Sequence, residues 1–202
     1  ERVCPMMASP VALIASTNDA AEDMLKLIKE HLTGNDLLLA DFPEAVYPIR
    51  CLEGETRRCA GQRYLGNLTK IRWDSDEIVM PTITGSRCAG SIIRVSGLTG
   101  NIRGAVFIRP DGTSIRPSLA IIDDPQTDQS ARSLSQTQER LAIVNGAIAG
   151  LAGPGKRTAM IMPCTVIRAG DLADQVLDRD KNPLWQGERT RLIYKLPSNQ
   201  KL

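Results

Sequence analysis

Short apolar runs, each cut off by a cluster of polar residues, predict the architecture of this chain. Val11-Ala12-Leu13-Ile14-Ala15 has strand length and stops at Ser16-Thr17-Asn18-Asp19. That cluster caps a helix in which Ala20, Met24, Leu27, Ile28 and His31 or Leu32 recur at helical spacing until Gly34 ends it. A second short helix is expected over 36–40, before Pro43 and Pro48 break the pattern. From Tyr64 to Gly100 the texture changes to short segments, 69–73, 77–81 and 91–95, with Asp74-Ser75-Asp76 as a turn. This predicts a β-hairpin inserted over 64–90 between the main elements, with the third segment rejoining the principal sheet.

A second strand signal is Leu119-Ala120-Ile121-Ile122, four apolar residues between Pro117 and the carboxylates Asp123 and Asp124. A continuous apolar run reads as a strand buried on both faces, the pattern of a central parallel strand. Its last residues would emerge at the carboxyl edge of the sheet, where open α/β folds bind ligands. Two adjacent acids repel each other, and such a pair commonly serves a hard cation such as Mg²⁺, as in a Walker B element. Asp-Asp-Pro is equally ordinary turn chemistry. The residues alone leave both readings open.

Downstream, 130–150 reads as a helix with Leu134, Leu141, Ile143, Val144 and Ile148 on its apolar side. Gly150-Leu151-Ala152-Gly153-Pro154-Gly155-Lys156 then imitates a Walker A motif, but Arg157 stands where Ser or Thr must bind Mg²⁺. A helix precedes it and the strand Ala159-Met160-Ile161-Met162 follows, the reverse of a phosphate-cradling order, so it reads as a helix-to-strand turn. That strand runs into Pro163-Cys164-Thr165. Upstream of the acids, Gly97-Leu98-Thr99-Gly100-Asn101-Ile102-Arg103-Gly104 is a glycine-punctuated loop. Arg103 there is either a surface turn residue or a fixed guanidinium of the kind phosphoryl-transfer sites use.

At 202 residues the chain has the size of one α/β domain, able to bury about 70% of its unfolded surface. Its five cysteines are odd in number and scattered, and His31 is its one histidine, which excludes a disulfide framework and argues against zinc. A reducing cytosol follows most simply. No membrane span or signal peptide is visible, and a start at Glu1 reads as an excised piece. The net charge of +2 does not by itself argue nucleic-acid binding. Arg50, Arg57, Arg58, Arg63, Lys70 and Arg72 are concentrated in one stretch, which reads as a solvated face in preference to a phosphate-tracking patch. Aromatics make up 3% of the chain, too few for stacking single-stranded bases. Cys164 has no histidine near it in sequence, so a catalytic thiol is not expected.

Taken in order, Asp41-Phe42-Pro43-Glu44, Ile102-Arg103-Gly104, Ile121-Ile122-Asp123-Asp124-Pro125-Gln126-Thr127, Met162-Pro163-Cys164-Thr165, Asp171-Leu172-Ala173-Asp174 and Gly187-Glu188-Arg189 resemble the ATPase domain of the large terminase subunit of tailed bacteriophages. The resemblance implies an α/β, three-layer P-loop-NTPase-like domain with a mainly parallel central sheet. It implies an ATPase motor that drives phage DNA into a capsid, using ATP and Mg²⁺, in the host cytoplasm. Asp123 would hold the metal, and Asp124 would orient the attacking water. Arg103 would act as an arginine finger on a neighbouring subunit, and Thr165 would be the coupling residue. The implied partners are double-stranded DNA, the portal protein, the small terminase subunit and further copies in a ring. In many terminases the Walker B pair is Asp-Glu, one methylene longer than Asp124. The family's Walker A lies upstream of Val11, so the chain is expected to be a fragment, inactive alone, with 171–202 leading toward an absent nuclease domain. A non-catalytic prophage remnant and a helicase-like P-loop ATPase are the alternatives.

Overall fold

The computed structural model describes residues 10–100, 102, 105–191 and 193–195. In chain order the elements are β1 (Val11–Ala15), α1 (Asn18–Gly34), α2 (Asp36–Asp41), α3 (Pro43–Arg50), β2 (Arg63–Tyr64), β3 (Asn67–Leu68), β4 (Arg72–Trp73), β5 (Glu77–Val79) and β6 (Ile92–Gly97). There follow β7 (Phe107–Ile108), β8 (Ser114–Ile115), β9 (Leu119–Asp123), α4 (Asp128–Ala131), α5 (Leu134–Ala142), β10 (Ala159–Ile161) and α6 (Leu172–Val176). The fold is mixed α/β around a six-stranded sheet of order β10-β9-β1-β6-β5-β4. β10, β9, β1 and β6 are mutually parallel, and β5 and β4 extend the sheet as antiparallel strands.

β1 is central because both its faces are apolar. Leu13 and Ala15 pack with Ala21 and Leu25 of α1 and with Val46 and Ile49 of α3. Ala12 and Ile14 pack with Ala120 and Ile122 of β9 and with Val144, Ile148 and Leu151 beyond α5. Alternation of side chains along a strand turns one continuous apolar run into two cores. Helices therefore cover both faces of the sheet.

Local chemistry sets the helix boundaries. Thr17 accepts a hydrogen bond from the Ala20 amide to start α1, and Asn35 accepts from Leu37 and Leu38 to start α2. Pro43 does not stop the helical region. It occupies the first turn of α3, where its missing amide costs nothing, and Pro48 is carried inside the same helix. The helix expected over 130–150 is divided. Ser133 caps α5 by accepting from Gln136, so α4 ends before it, and the last turn widens into a π-helix over Ile143–Ile148.

The Asp74–Asp76 turn does make a hairpin, but β4 and β5 are part of the principal sheet. Only β2 and β3 form a sheet of their own within 64–90. The hairpin joins the sheet through a buried charge. Glu77, 3% exposed, receives Arg72 Nη2 at 3.0 Å and Arg94 Nε at 2.8 Å, and Arg94 also lies over the Phe107 ring at 4.6 Å. Asp171 is fully buried and α6 buries Leu172, Ala173 and Val176, so residues 171–176 pack as part of the fold.

Gly97 ends β6 where the backbone passes closest to the start of α1. Its amide donates to Asn18 Oδ1 at 2.7 Å, and a Cβ would fall 2.7 Å from the Asn18 amide nitrogen. Gly97→Ala should cost about 2 kcal/mol, because overpacking here meets backbone that cannot swing aside. Gly34→Ala, with nothing within 4 Å of its Cβ, is the matched control and should be neutral or stabilising. Urea-unfolding midpoints of the two variants against the parent protein check this. Equal midpoints would show that the Gly97 contact is not tight.

Candidate functional site

The carboxyl edge of the parallel strands forms a ledge. The sheet register places Gly97, Ala15 and Asp123 side by side at the ends of β6, β1 and β9. Asp123 is half-buried and Asp124 exposed, so the acid pair stands at this edge as the apolar run before it predicts. Asp124 has a left-handed backbone, φ 36, a conformation that aspartate tolerates better than most residues. The turn directs its amide to the Pro163 carbonyl at 3.1 Å and its Oδ1 to the Thr165 amide at 3.0 Å. No hydrogen bond joins Oδ2, or either oxygen of Asp123, to another described residue.

Thr165 therefore lies beside the acid pair, but not in a strand. β10 ends at Ile161, and the chain from Met162 to Thr165 is irregular. Tethering to Asp124, rather than a strand ladder, sets its position. Its carbonyl is held too, accepting from Gln126 Nε2 at 2.9 Å. Arg103 lies outside the described residues.

Gln126 and Asp171 organise this edge, and sequence reasoning gave neither a role of its own. Gln126, 6% exposed, donates to Thr165 O and to Asp171 Oδ2, both at 2.9 Å, and accepts from the Leu172 amide at 3.0 Å. Asp171 Oδ2 also accepts from the Ile167 and Arg168 amides at 2.7 and 3.0 Å, and Oδ1 accepts from Asp174 at 2.9 Å. Burial alone would raise the Asp171 carboxyl. The amides of Asp174, Arg168 and Ile167, with Gln126, outweigh it and hold the group below its ordinary value.

Arg140 is a further residue that sequence reasoning missed. From α5 its Nη1 donates to the Pro125 carbonyl at 2.6 Å and to the Ser16 carbonyl at 3.5 Å, bridging the exits of β9 and β1. Its position in a helix read as merely amphipathic gave no signal. Partial burial lowers its pKa, opposed by Glu139, yet a guanidinium stays charged across the working range. A cation is thus fixed at the same edge as the two acids.

Beyond Thr165 opens a groove of about 970 Å³, lined among others by Met162, Thr165, Trp185, Arg189 and Arg191. Arg189 is partly engaged by Asp174 at 3.0 Å. Cys164 is an unsuitable nucleophile. Although the residue as a whole is exposed, burial of the thiol, then Asp124 and Asp171, push its pKa up.

Among the described residues no group of three or more His, Cys, Asp or Glu is placed to hold a metal ion. Two carboxylates at a strand end do suit Mg²⁺, which keeps its waters and takes one or two protein carboxylates together with substrate phosphates. The Gly150–Lys156 turn cannot share that substrate. It precedes β10, at the amino edge, and the length of β9 separates it from Asp124 by roughly 15 Å. No protein-family model matches the chain, and no curated protein matches it significantly. No helix among the described residues is long and apolar enough to cross a membrane.

The depressed Asp171 carboxyl makes a pH prediction. A group whose pKa is lower folded than unfolded adds stability above its unfolded value, near 3.9, and loses it as the pH falls through the folded value. At neutral pH the parent should therefore exceed Asp171→Asn by about 1–3 kcal/mol, the usual loss when buried donors are left poorly matched. The gap should close as acid is added below about pH 4. Urea titrations of both proteins from pH 7 to pH 3 measure it, and a gap independent of pH would refute the assignment.

Proposed function

We propose that this chain is ATPase machinery of a DNA-packaging motor of the large-terminase kind. The observation that carries the reading is the acid pair at the carboxyl end of a central parallel strand, bonded through Asp124 to the loop after the next strand. In that reading Asp123 would hold Mg²⁺, directly or through water, and the ion would supply charge neutralisation to the substrate phosphates. Asp124, with Oδ2 free of other described residues, orients the attacking water. Thr165 reports the state of the site, since movement of the Asp124 carboxylate pulls directly on its amide. Arg103 acts on the nucleotide of a neighbouring subunit in the ring. Double-stranded DNA, a portal protein and a small terminase subunit complete the assembly.

The acid pair by itself does not supply a phosphate cradle. The sequence contains no G-x-x-x-x-G-K-[ST], and the one glycine-rich turn that imitates it lies at the other edge. The 202-residue chain should therefore bind a fluorescent ATP analogue in Mg²⁺ buffer only weakly and show no significant turnover. Micromolar affinity would overturn this view of the phosphate cradle.

The two catalytic assignments separate in an assembled motor. Arg103→Ala should lower turnover by about 10³ to 10⁵ while leaving nucleotide binding nearly intact, because an arginine finger acts on charge that develops during transfer. Asp124→Asn should also stop hydrolysis, but in the subunit that holds the nucleotide. Rings mixed from the two inactive variants should recover part of the activity, measured as phosphate release. Near-normal activity of Arg103→Ala would make Arg103 a turn residue.

A further inference from the structure

The β2–β3 hairpin is a small separate sheet on a firm base. Gln62 Nε2 donates to the Pro48 carbonyl of α3 at 2.7 Å, and Thr69, fully buried, donates its amide to Gln62 O at 3.0 Å and its hydroxyl to Gln62 Oε1 at 2.7 Å. The Thr82 amide holds the Thr69 carbonyl at 2.8 Å from the other side. Tyr64 rests against Tyr47 of α3, ring centroids 6.0 Å apart. The tip is thus presented by a fixed support.

That tip is strained in an unusual way. Leu65 and Gly66 form a two-residue turn with φ 49 and 80, both left-handed, as tight hairpins of this hand require. Glycine adopts this freely, but leucine does not, and Asn, Asp or Gly would relieve the strain. Leu65 is nevertheless 81% exposed, an apolar side chain held out in water. Lys70, just beyond β3, repeats the left-handed conformation at φ 49 and is also exposed. Strain retained at an exposed site, where no packing explains it, points to a contact made elsewhere.

The charge around the tip identifies that contact. Between Glu55 and Asp74 the sequence carries Arg57, Arg58, Arg63, Lys70 and Arg72 and no acid. Arg72 is committed to Glu77, whereas Arg57 and Arg58 hold only surface pairings with Glu55 and Glu53, which exchange readily. Arg63 Nη1 donates to the Gly66 carbonyl at 2.7 Å, which fixes it beside the tip, and Lys70 has no ion-pair partner among the described residues. The core of a protein-docking patch is depleted of charge overall, with arginine the one cation enriched at such interfaces. An exposed apolar side chain with Arg63 fixed beside it, in a stretch of sequence rich in cations, matches nucleic acid, where phosphates take the cations and an apolar wedge enters the groove.

We infer that the β2–β3 hairpin is a contact element for double-stranded DNA, with Leu65 entering a groove and Arg63 and Lys70 on flanking phosphates. The choice of DNA as the polyanion rests on the packaging-motor reading, while the contact itself needs no nucleotide. The test is fluorescence anisotropy of a labelled 30-base-pair duplex titrated with the 202-residue chain, without ATP, between 50 and 200 mM salt. Leu65→Gly relieves the turn and so preserves the fold, and it should weaken binding about tenfold, the value of one buried leucine side chain. Arg63→Gln with Lys70→Gln should weaken it at every sequence and reduce the slope of log affinity against log salt by about 2. No duplex binding by the parent chain, or variants that bind as it does, would overturn the inference. So would self-association of the parent chain that Leu65→Gly abolishes, since the tip would then be a protein contact. Because ATP is absent throughout, failure here leaves the assignments of Asp123 and Asp124 standing, and a failed ATPase assay would leave this contact standing.

Discussion

A fully buried carboxylate that accepts four hydrogen bonds fixes the course of the chain beyond β9. Asp171 takes three backbone amides and the Gln126 side chain, and Gln126 spends its remaining groups on Thr165 and Leu172. Each of these partners, left buried without the other, would cost about 1–3 kcal/mol. The network is therefore cooperative. The loop after β10, the start of α6 and the segment after Asp124 are held as one unit or not at all. Asp124 is the outer member of that unit, since its carboxylate closes on Thr165, whose carbonyl the network already holds. Through Thr165 and Gln126 the Asp124 carboxylate is thus linked to the buried Asp171 carboxylate.

The sheet supplies the other half of the constraint. A parallel strand buried on both faces must release its chain at the carboxyl edge, and the register of β9 against β1 sets Asp123 level with Ala15. Arg140 then ties the two exits together through their carbonyls. An acid pair, a bound loop and a fixed cation meet there because three strands of similar length end at one level. Gly97 is part of the same geometry, for only a residue without a Cβ lets β6 end against the first turn of α1.

Much of this was legible in the sequence. The run 11–15, the capped helix after it and the apolar run ending in Asp123 carry their own patterns, and each forms where periodicity places it. The misreadings have physical causes. Glu77 looks like a surface acid, so β5 resembled part of an excursion, but paired guanidinia from Arg72 and Arg94 let a carboxylate sit in the core and carry the hairpin into the sheet. Pro43 looks like a stop and serves as a start. The split between α4 and α5 turns on one serine hydroxyl that offers the backbone an alternative partner. Gln126 and Asp171 lie 45 residues apart, and no periodicity or spacing links a neutral amide to a distant acid.

The left-handed residues show why geometry and chemistry must be read together. Asp124 and Leu65 share a sterically costly backbone conformation, φ 36 and 49. At Asp124 the cost is met within the molecule, by an amide bond to Pro163 and a carboxylate bond to Thr165, and an aspartate is a natural occupant. At Leu65 the side chain is 81% exposed, so no burial offsets it, and a glycine would serve the turn better. The first kind of strain is explained by the fold that surrounds it. The second is not, and a leucine kept in water on a rigid support acquires a physical reason only from something outside the molecule that covers it.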